Sequence, residues 1–177
     1  MDYRPLGSTG IDVSVLGFGC GAVGGLMVRG EPAARVAAVA RGLEAGITYF
    51  DTAPLYGNGL SEQHLGQALR ELHADPYVGT KVRLQDADMG DIAGAIERSV
   101  EGSLQRLGRN SVTLVQLHNG IGVRAQGGSG VTAEQFTDEV LPAFQRLVAA
   151  GKTRFFGITA VGDPATLKAC LTAGGFH

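Results

Sequence analysis

The sequence predicts a parallel α/β domain built from repeated βα units, and three observations carry that prediction. Short apolar, β-rich runs alternate with longer runs of helical period. The β-rich runs end at residues 19, 51, 81, 118 and 158, a recurrence that accommodates one strand, one crossover helix and two loops. No acidic, basic or Pro-rich linker interrupts the 177 residues, so a single domain is expected over 1–177. Such a repeat makes either an open, doubly wound sheet or a closed barrel. Only five units are counted, whereas a complete eightfold barrel takes about 250 residues, so a barrel reading implies a chain that stops short of closure.

The elements follow in order. Residues 3–6 and 13–15 flank Gly7-Ser8-Thr9-Gly10, which predicts a small hairpin leading into the repeat. Strands are expected at 13–19, 48–51, 77–81, 112–118 and 154–159, each short, mostly apolar and bounded by turn residues, as in strands buried on both faces. Helices are expected at 32–45, 61–72, 92–107, 134–150 and 164–172. The third is the clearest, because Ile92, Ile96, Val100, Leu104 and Leu107 recur at spacings of four and three on one stripe. Pro32 suits a first helical position, and Gly46, Gly108 and Gly151 stand where helices should stop. The Gly-rich stretch 119–133 after the fourth strand reads either as a substrate-side lid or as a tolerated surface insertion.

Composition removes several functions. A formal net charge of −2, only 18% charged residues and no Lys or Arg cluster argue against nucleic acid or an anionic membrane surface as partner. No run reaches the roughly 18 apolar residues of a membrane span, and the opening Met-Asp-Tyr-Arg-Pro has no apolar signal core. Two cysteines, Cys20 and Cys170, suit a reducing compartment, so a cytoplasmic location is the expectation.

In parallel α/β folds the working residues gather at the carboxyl ends of the strands. Here those ends carry Asp51 with Tyr56 close behind, Lys81, and His118: an acid, a phenol, an amine and an imidazole on one mouth. Each alone is commonly a cap, a core residue or a surface residue. Together they are costly to bury unless they pair or work. The set suits carbonyl reduction, in which hydride addition leaves negative charge on oxygen that must be met by a proton. Tyr56 is the expected proton donor, Lys81 the ammonium that favours its phenolate, Asp51 the carboxylate that holds Lys81, and His118 the donor that orients the carbonyl. This chemistry needs no metal ion.

These residues resemble the aldo-keto reductases, NADP(H)-dependent oxidoreductases built as (β/α)8 TIM-type barrels. The resemblance runs through Phe50-Asp51-Thr52-Ala53 with Tyr56-Gly57, then Ser61-Glu62, Leu65-Gly66 and Ala68-Leu69, Gly79-Thr80-Lys81-Val82 and Gln116-Leu117-His118. It implies that Tyr56 is the general acid/base, Asp51 and Lys81 its supporting pair, and His118 the orienting residue. It also implies cofactor contacts at Gly19, Cys20, Gly21 and Asp51, with NADP(H) as cofactor, NAD(H) as the other possibility, and a small aldehyde, ketone or sugar as substrate. Tyr3-Arg4-Pro5-Leu6-Gly7 and the glycine-rich 17–25 stretch are most similar to bacterial members acting on sugars or related aldehydes.

Two departures stand out. The family carries a Ser-Asn pair after the fifth strand where this chain has Thr159-Ala160, leaving Thr159 as a single hydroxyl contact for the cofactor. The chain also ends at Gly174-Gly175-Phe176-His177, where a sixth strand is expected to begin, so a fragment is implied and most of the family's remaining cofactor contacts would follow. An inactive, truncated barrel serving as a binding or interaction module, self-associating through unpaired sheet edges, is therefore the alternative. A Rossmann fold is the other rival, because Gly19-Cys20-Gly21-Ala22-Val23-Gly24 is a literal G-x-G-x-x-G after a strand. Against it, Gly25, Gly30 and Pro32 postpone the helix that should open inside the motif.

Overall fold

The computed structural model describes residues 1–122, 130–174 and 176. Strands β1 (Tyr3–Pro5) and β2 (Asp12–Ser14) form the antiparallel hairpin, and its turn uses left-handed glycines at Gly7 and Gly10, with φ of 55° and 74°. The five remaining strands, β3 (Phe18–Gly19), β4 (Tyr49–Asp51), β5 (Tyr77–Val82), β6 (Val112–Leu117) and β7 (Thr153–Ile158), make one parallel sheet in sequence order. That consecutive order has no switch point, which excludes the doubly wound Rossmann arrangement and is the order of a barrel wall. Among the described residues the sheet is open, with β3 and β7 at its edges.

The expected single strand at 13–19 is two strands. Ser14 is buried and exchanges hydrogen bonds with Thr48: its N–H donates to Thr48 Oγ1 at 2.9 Å, and its Oγ accepts from the Thr48 N–H at 3.0 Å. Ser14 Oγ also donates to the Leu16 carbonyl at 2.7 Å. These bonds bend the chain at Val15 and Leu16, which stand exposed, and pairing resumes only at Phe18. The other four expected strands lie within one or two residues of those observed.

The helices cover one face of the sheet. They are α1 (Leu26–Arg29), α2 (Pro32–Glu44), α3 (Leu60–Glu71), α4 (Ile92–Leu107), α5 (Ala133–Gln135), α6 (Leu141–Ala149) and α7 (Pro164–Ala173). Asp91 caps α4 by accepting from the Gly94 N–H at 3.0 Å, and Gly108 ends it at φ 64°. All five residues of the predicted α4 stripe are buried, each contributing about 1.5–3 kcal/mol of apolar burial. The run expected as one helix at 134–150 instead passes from α5 through a π-helical turn, Phe136–Val140, into α6. Pro142 accounts for the wide turn, since it has no N–H to donate and its ring crowds the preceding turn. The short α1 and a 3₁₀ turn at Asp86–Gly90 were not expected. Of the 119–133 stretch, residues 123–129 lie outside the described residues, so the lid reading does too.

Alternation along the strands separates two environments. Phe50, Val78, Thr80, Val82, Val115, Leu117 and Phe156 face the helices and are buried. Tyr49, Asp51, Leu114, Gln116, Phe155 and Gly157 occupy the alternate positions and are only half-buried. Burial on both faces was expected, and the open sheet explains why the concave face is less covered. No helix among the described residues is long and apolar enough to cross a membrane.

Candidate active site

The concave row puts the polar residues side by side. Register pairs Gly19 with Asp51 and Asp51 with Gly79, and then Lys81 with Gln116 and Gln116 with Gly157. Asp51 thus ends β4 and Lys81 sits near the end of β5, both at carboxyl ends. Lys81 Nζ donates to Asp51 Oδ2 at 2.7 Å and to the Thr52 carbonyl at 2.9 Å. Its side chain is 6% exposed, against 33% for Asp51, so the ammonium is the more deeply buried partner. The same Nζ lies 4.9 Å from the centroid of the Tyr56 ring. Tyr56 in turn meets His118 edge to face, with ring centroids 6.4 Å apart and planes at 89°. The four residues expected to work together therefore stand together.

His118 is held neutral. Burial comes first, and the positive charges of Lys81 and Arg83 add to it, outweighing Asp51, so its pKa is lowered. Its Nδ1 is buried with no hydrogen-bond partner among the described residues. A second phenol, Tyr49, lies two residues before Asp51 on the same face, but burial and the Asp51 charge push its pKa up, which unsuits it as a proton donor.

The expected cofactor contacts divide. Gly19 and Gly21 have open space where a Cβ would stand and no left-handed backbone, so the protein's own packing does not ask for glycine at either position. Together with the orphaned His118 nitrogen, that open cradle fits a ligand laid across the strand ends. Cys20 points elsewhere: its side chain is buried, its N–H donates to the Asp51 carbonyl at 2.9 Å, and its own carbonyl accepts from Ser61 Oγ at 2.8 Å. Burial, reinforced by Asp51 and opposed by Lys81, pushes its thiol up to about 12. These bonds tie Cys20 into the packing beneath the loop, with one lone pair of its carbonyl already engaged by Ser61. Thr159 donates its hydroxyl to the Leu117 carbonyl at 3.3 Å, leaving its oxygen lone pairs as acceptors. The adjacent Ala160 takes a left-handed φ of 52°, a conformation in which Asn is better tolerated than Ala.

Two polar residues beneath the site had no role assigned from sequence, although Glu62 stood in the family pattern. Glu62 is fully buried, accepting from Thr80 Oγ1 and from Arg106 Nε, both at 2.6 Å. Asn119 clasps Leu84, with its Oδ1 accepting from the Leu84 N–H and its Nδ2 donating to the Leu84 carbonyl, both at 2.8 Å. The signal for the first was present: Ser61 and Glu62 share the helical face of Leu65 and Leu69, which marks them as inward-facing.

A parallel, barrel-ordered sheet with a polar cluster at its carboxyl strand ends defines a TIM-barrel-type protein with its site in the usual place for that class. Within that class the chain belongs to the aldo/keto reductase family, whose pattern it matches over residues 15–176. It is 35% identical over 162 residues to L-galactose dehydrogenase of Arabidopsis thaliana, covering 90% of this chain and 48% of that protein. Among solved structures, the holo form of an aldo-keto reductase from Bacillus halodurans superposes with a TM-score of 0.77 at 31% identity, over 99% of this chain and 55% of that one. An aldo-keto reductase from Klebsiella pneumoniae in complex with NADPH gives 0.69 at 28% identity, over 89% and 49%. The chain thus spans about half the length of the relatives it matches.

Proposed function

We propose that this chain carries the proton-transfer half of an NADP(H)-dependent reductase acting on small carbonyl compounds and the corresponding alcohols. The observation that carries the reading is the placement of one buried ammonium, Lys81 Nζ, against both the Asp51 carboxylate and the Tyr56 ring. NADPH, when bound, supplies a hydride. The cofactor assignment is supported by the complex of the Klebsiella pneumoniae relative and by the open positions at Gly19 and Gly21. Thr159 would accept a hydrogen bond from the ligand's amide.

The protein's own part is to hold the carbonyl and to deliver a proton. Neutral His118 has one N–H to donate to the carbonyl oxygen, which fixes its direction and polarises it. The Tyr56 O–H bond breaks as a new O–H bond forms on that oxygen, converting carbonyl to alcohol and leaving a phenolate. Lys81 stabilises the phenolate, and Asp51 holds Lys81 aimed at it. In the reverse direction the Tyr56 phenolate takes the alcohol proton. A sugar or sugar-like aldehyde as substrate is supported by the name of the Arabidopsis relative, a dehydrogenase of L-galactose.

The test is Tyr56→Phe in the full-length protein, with NADPH oxidation followed against a panel of aldehydes, ketones and aldoses. Turnover should fall by about 10² to 10⁴, the usual worth of a positioned acid. NADPH binding, read by fluorescence, should stay nearly unchanged. A phenylalanine variant that keeps most of its turnover would remove Tyr56 from the mechanism.

A further inference from the structure

Beneath the site, the first turn of α3 joins the segments that carry three of the four residues, Asp51, Tyr56 and Lys81. Ser61 is fully buried and has one hydroxyl proton, which it gives to the Cys20 carbonyl at 2.8 Å. The 2.9 Å contact between Ser61 Oγ and Thr52 Oγ1 must then be donated by Thr52, so the chain of donors runs from Thr52 through Ser61 to Cys20. The Ser61 N–H donates to the Tyr56 carbonyl at 3.2 Å. Thr52, also fully buried, presents its own carbonyl to Lys81 Nζ at 2.9 Å. One residue along, Glu62 accepts from Thr80, the neighbour of Lys81 in β5, at 2.6 Å. The turn therefore touches the loop after β3, the loop after β4, the backbone of the proposed acid and the strand of the ammonium.

We infer that Ser61 is a positioning residue for the proposed proton transfer: through Thr52 it fixes the carbonyl that holds Lys81, and through its N–H it fixes the Tyr56 backbone. The inference rests on the reductase reading for its catalytic consequence and on geometry alone for its structural one. Glu62, bound to Arg106 at 2.6 Å, anchors the same turn to α4. Buried hydroxyls that served only to satisfy core polarity would hold the fold and leave Lys81 indifferent to them. If Ser61 positions the site, its loss frees the Thr52 peptide first, and the hydrogen bond from Lys81 weakens.

The chain has only three lysines, Lys81, Lys152 and Lys168, so the Lys81 side-chain ammonium can be followed by NMR of ¹⁵N-labelled protein, with the other two as internal references. Ser61→Ala should speed proton exchange at the Lys81 ammonium by roughly tenfold, the scale of one lost hydrogen bond, with Lys152 and Lys168 unchanged. Thr52→Val, which keeps the shape and removes the hydroxyl, should do the same. Thr52→Ser should restore the parent rate, and the Ser61→Ala/Thr52→Val double variant should add little to either single change. In turnover assays the single variants should lower kcat and leave KM within about twofold, as expected for a group that acts on the transition state and not on binding. Parent-like Lys81 exchange in a cooperatively melting Ser61→Ala or Thr52→Val protein overturns the inference, as does equal acceleration at all three lysines. If the parent protein shows no turnover on any carbonyl while Lys81 exchange responds as described, the reductase reading falls and the positioning stands.

Discussion

Lys81 is the residue on which the candidate site turns, and its burial sets two expectations. Its ammonium is satisfied by Asp51 Oδ2 and the Thr52 carbonyl, so removing it leaves a partly exposed carboxylate that water can still reach. Breaking a fully buried pair costs about 3–5 kcal/mol, and the one-third exposure of Asp51 puts the cost below that range. Lys81→Met should therefore impair turnover far more than it lowers the melting temperature. Unchanged activity in a folded Lys81→Met protein would reduce Lys81 to a structural partner of Asp51. His118 offers the pH test. Its folded pKa lies below the ordinary value of about 6.5, so the unfolded chain binds the proton more readily. The stability it contributes is complete above about 6.5 and is lost as pH falls below that value toward the folded pKa. NMR titration should show the His118 ring less than half charged at a pH where free imidazole is half charged, and His118→Gln should flatten this part of the pH–stability curve. A His118 midpoint at or above 6.5 would contradict the burial account.

At the scale of elements, two glycines in neighbouring helices should respond to the same substitution with opposite sign. A Cβ on Gly66 in α3 would stand 2.2 Å from the Leu107 carbonyl oxygen, backbone that cannot give way, because α3 and α4 approach closely there. Alanine gains up to about 1 kcal/mol in helix propensity, and the overpacking costs about 1–3 kcal/mol. Gly66→Ala should destabilise. At Gly102 in α4 the same Cβ meets only one edge of the Arg106 guanidinium at 3.1 Å; that group is held by Glu62 and Ser103 but needs to give only a few tenths of an ångström, so Gly102→Ala should stabilise by less than the full gain of about 0.5–1 kcal/mol. Denaturant midpoints decide both. The elements also show what the sequence could and could not disclose. The α4 stripe was legible because a 3.6-residue period is a local property. The bend at Val15 was not, since it depends on Thr48, 34 residues away. The four candidate residues were legible as a polar set at or just after strand ends, and their expected roles came from the chemistry of carbonyl reduction and from the family resemblance. The Glu62–Arg106 bond, across 44 residues, is a tertiary fact with only a faint trace in the apolar face it shares. The π turn could have been foreseen at Pro142, had the proline been weighed against the period around it.

For the whole molecule, the arrangement that builds the site also leaves it open. Five parallel strands in sequence order curve so that Asp51, Tyr56, Lys81 and His118 face one side, while the helices bury the other. Among the described residues, no strand pairs with the outer edges of β3 and β7. The apolar side chains along those edges are only partly available: Phe156 is 5% exposed and stacks on Phe144 at 5.5 Å, facing the helices, whereas Val15 and Leu16 beside β3 are 53% and 58% exposed. The outer edge of six-residue β7 presents a row of backbone donors and acceptors, the usual template for pairing with another chain. The 177-residue polypeptide should accordingly associate, its scattering mass rising with concentration, and Val15→Lys with Leu16→Lys should reduce that association without changing the circular dichroism spectrum. Retained association in the double lysine variant would shift the interface from the β3 side to the β7 edge. A parent chain that stays monomeric across the concentration range would show that the open sheet protects its own edges.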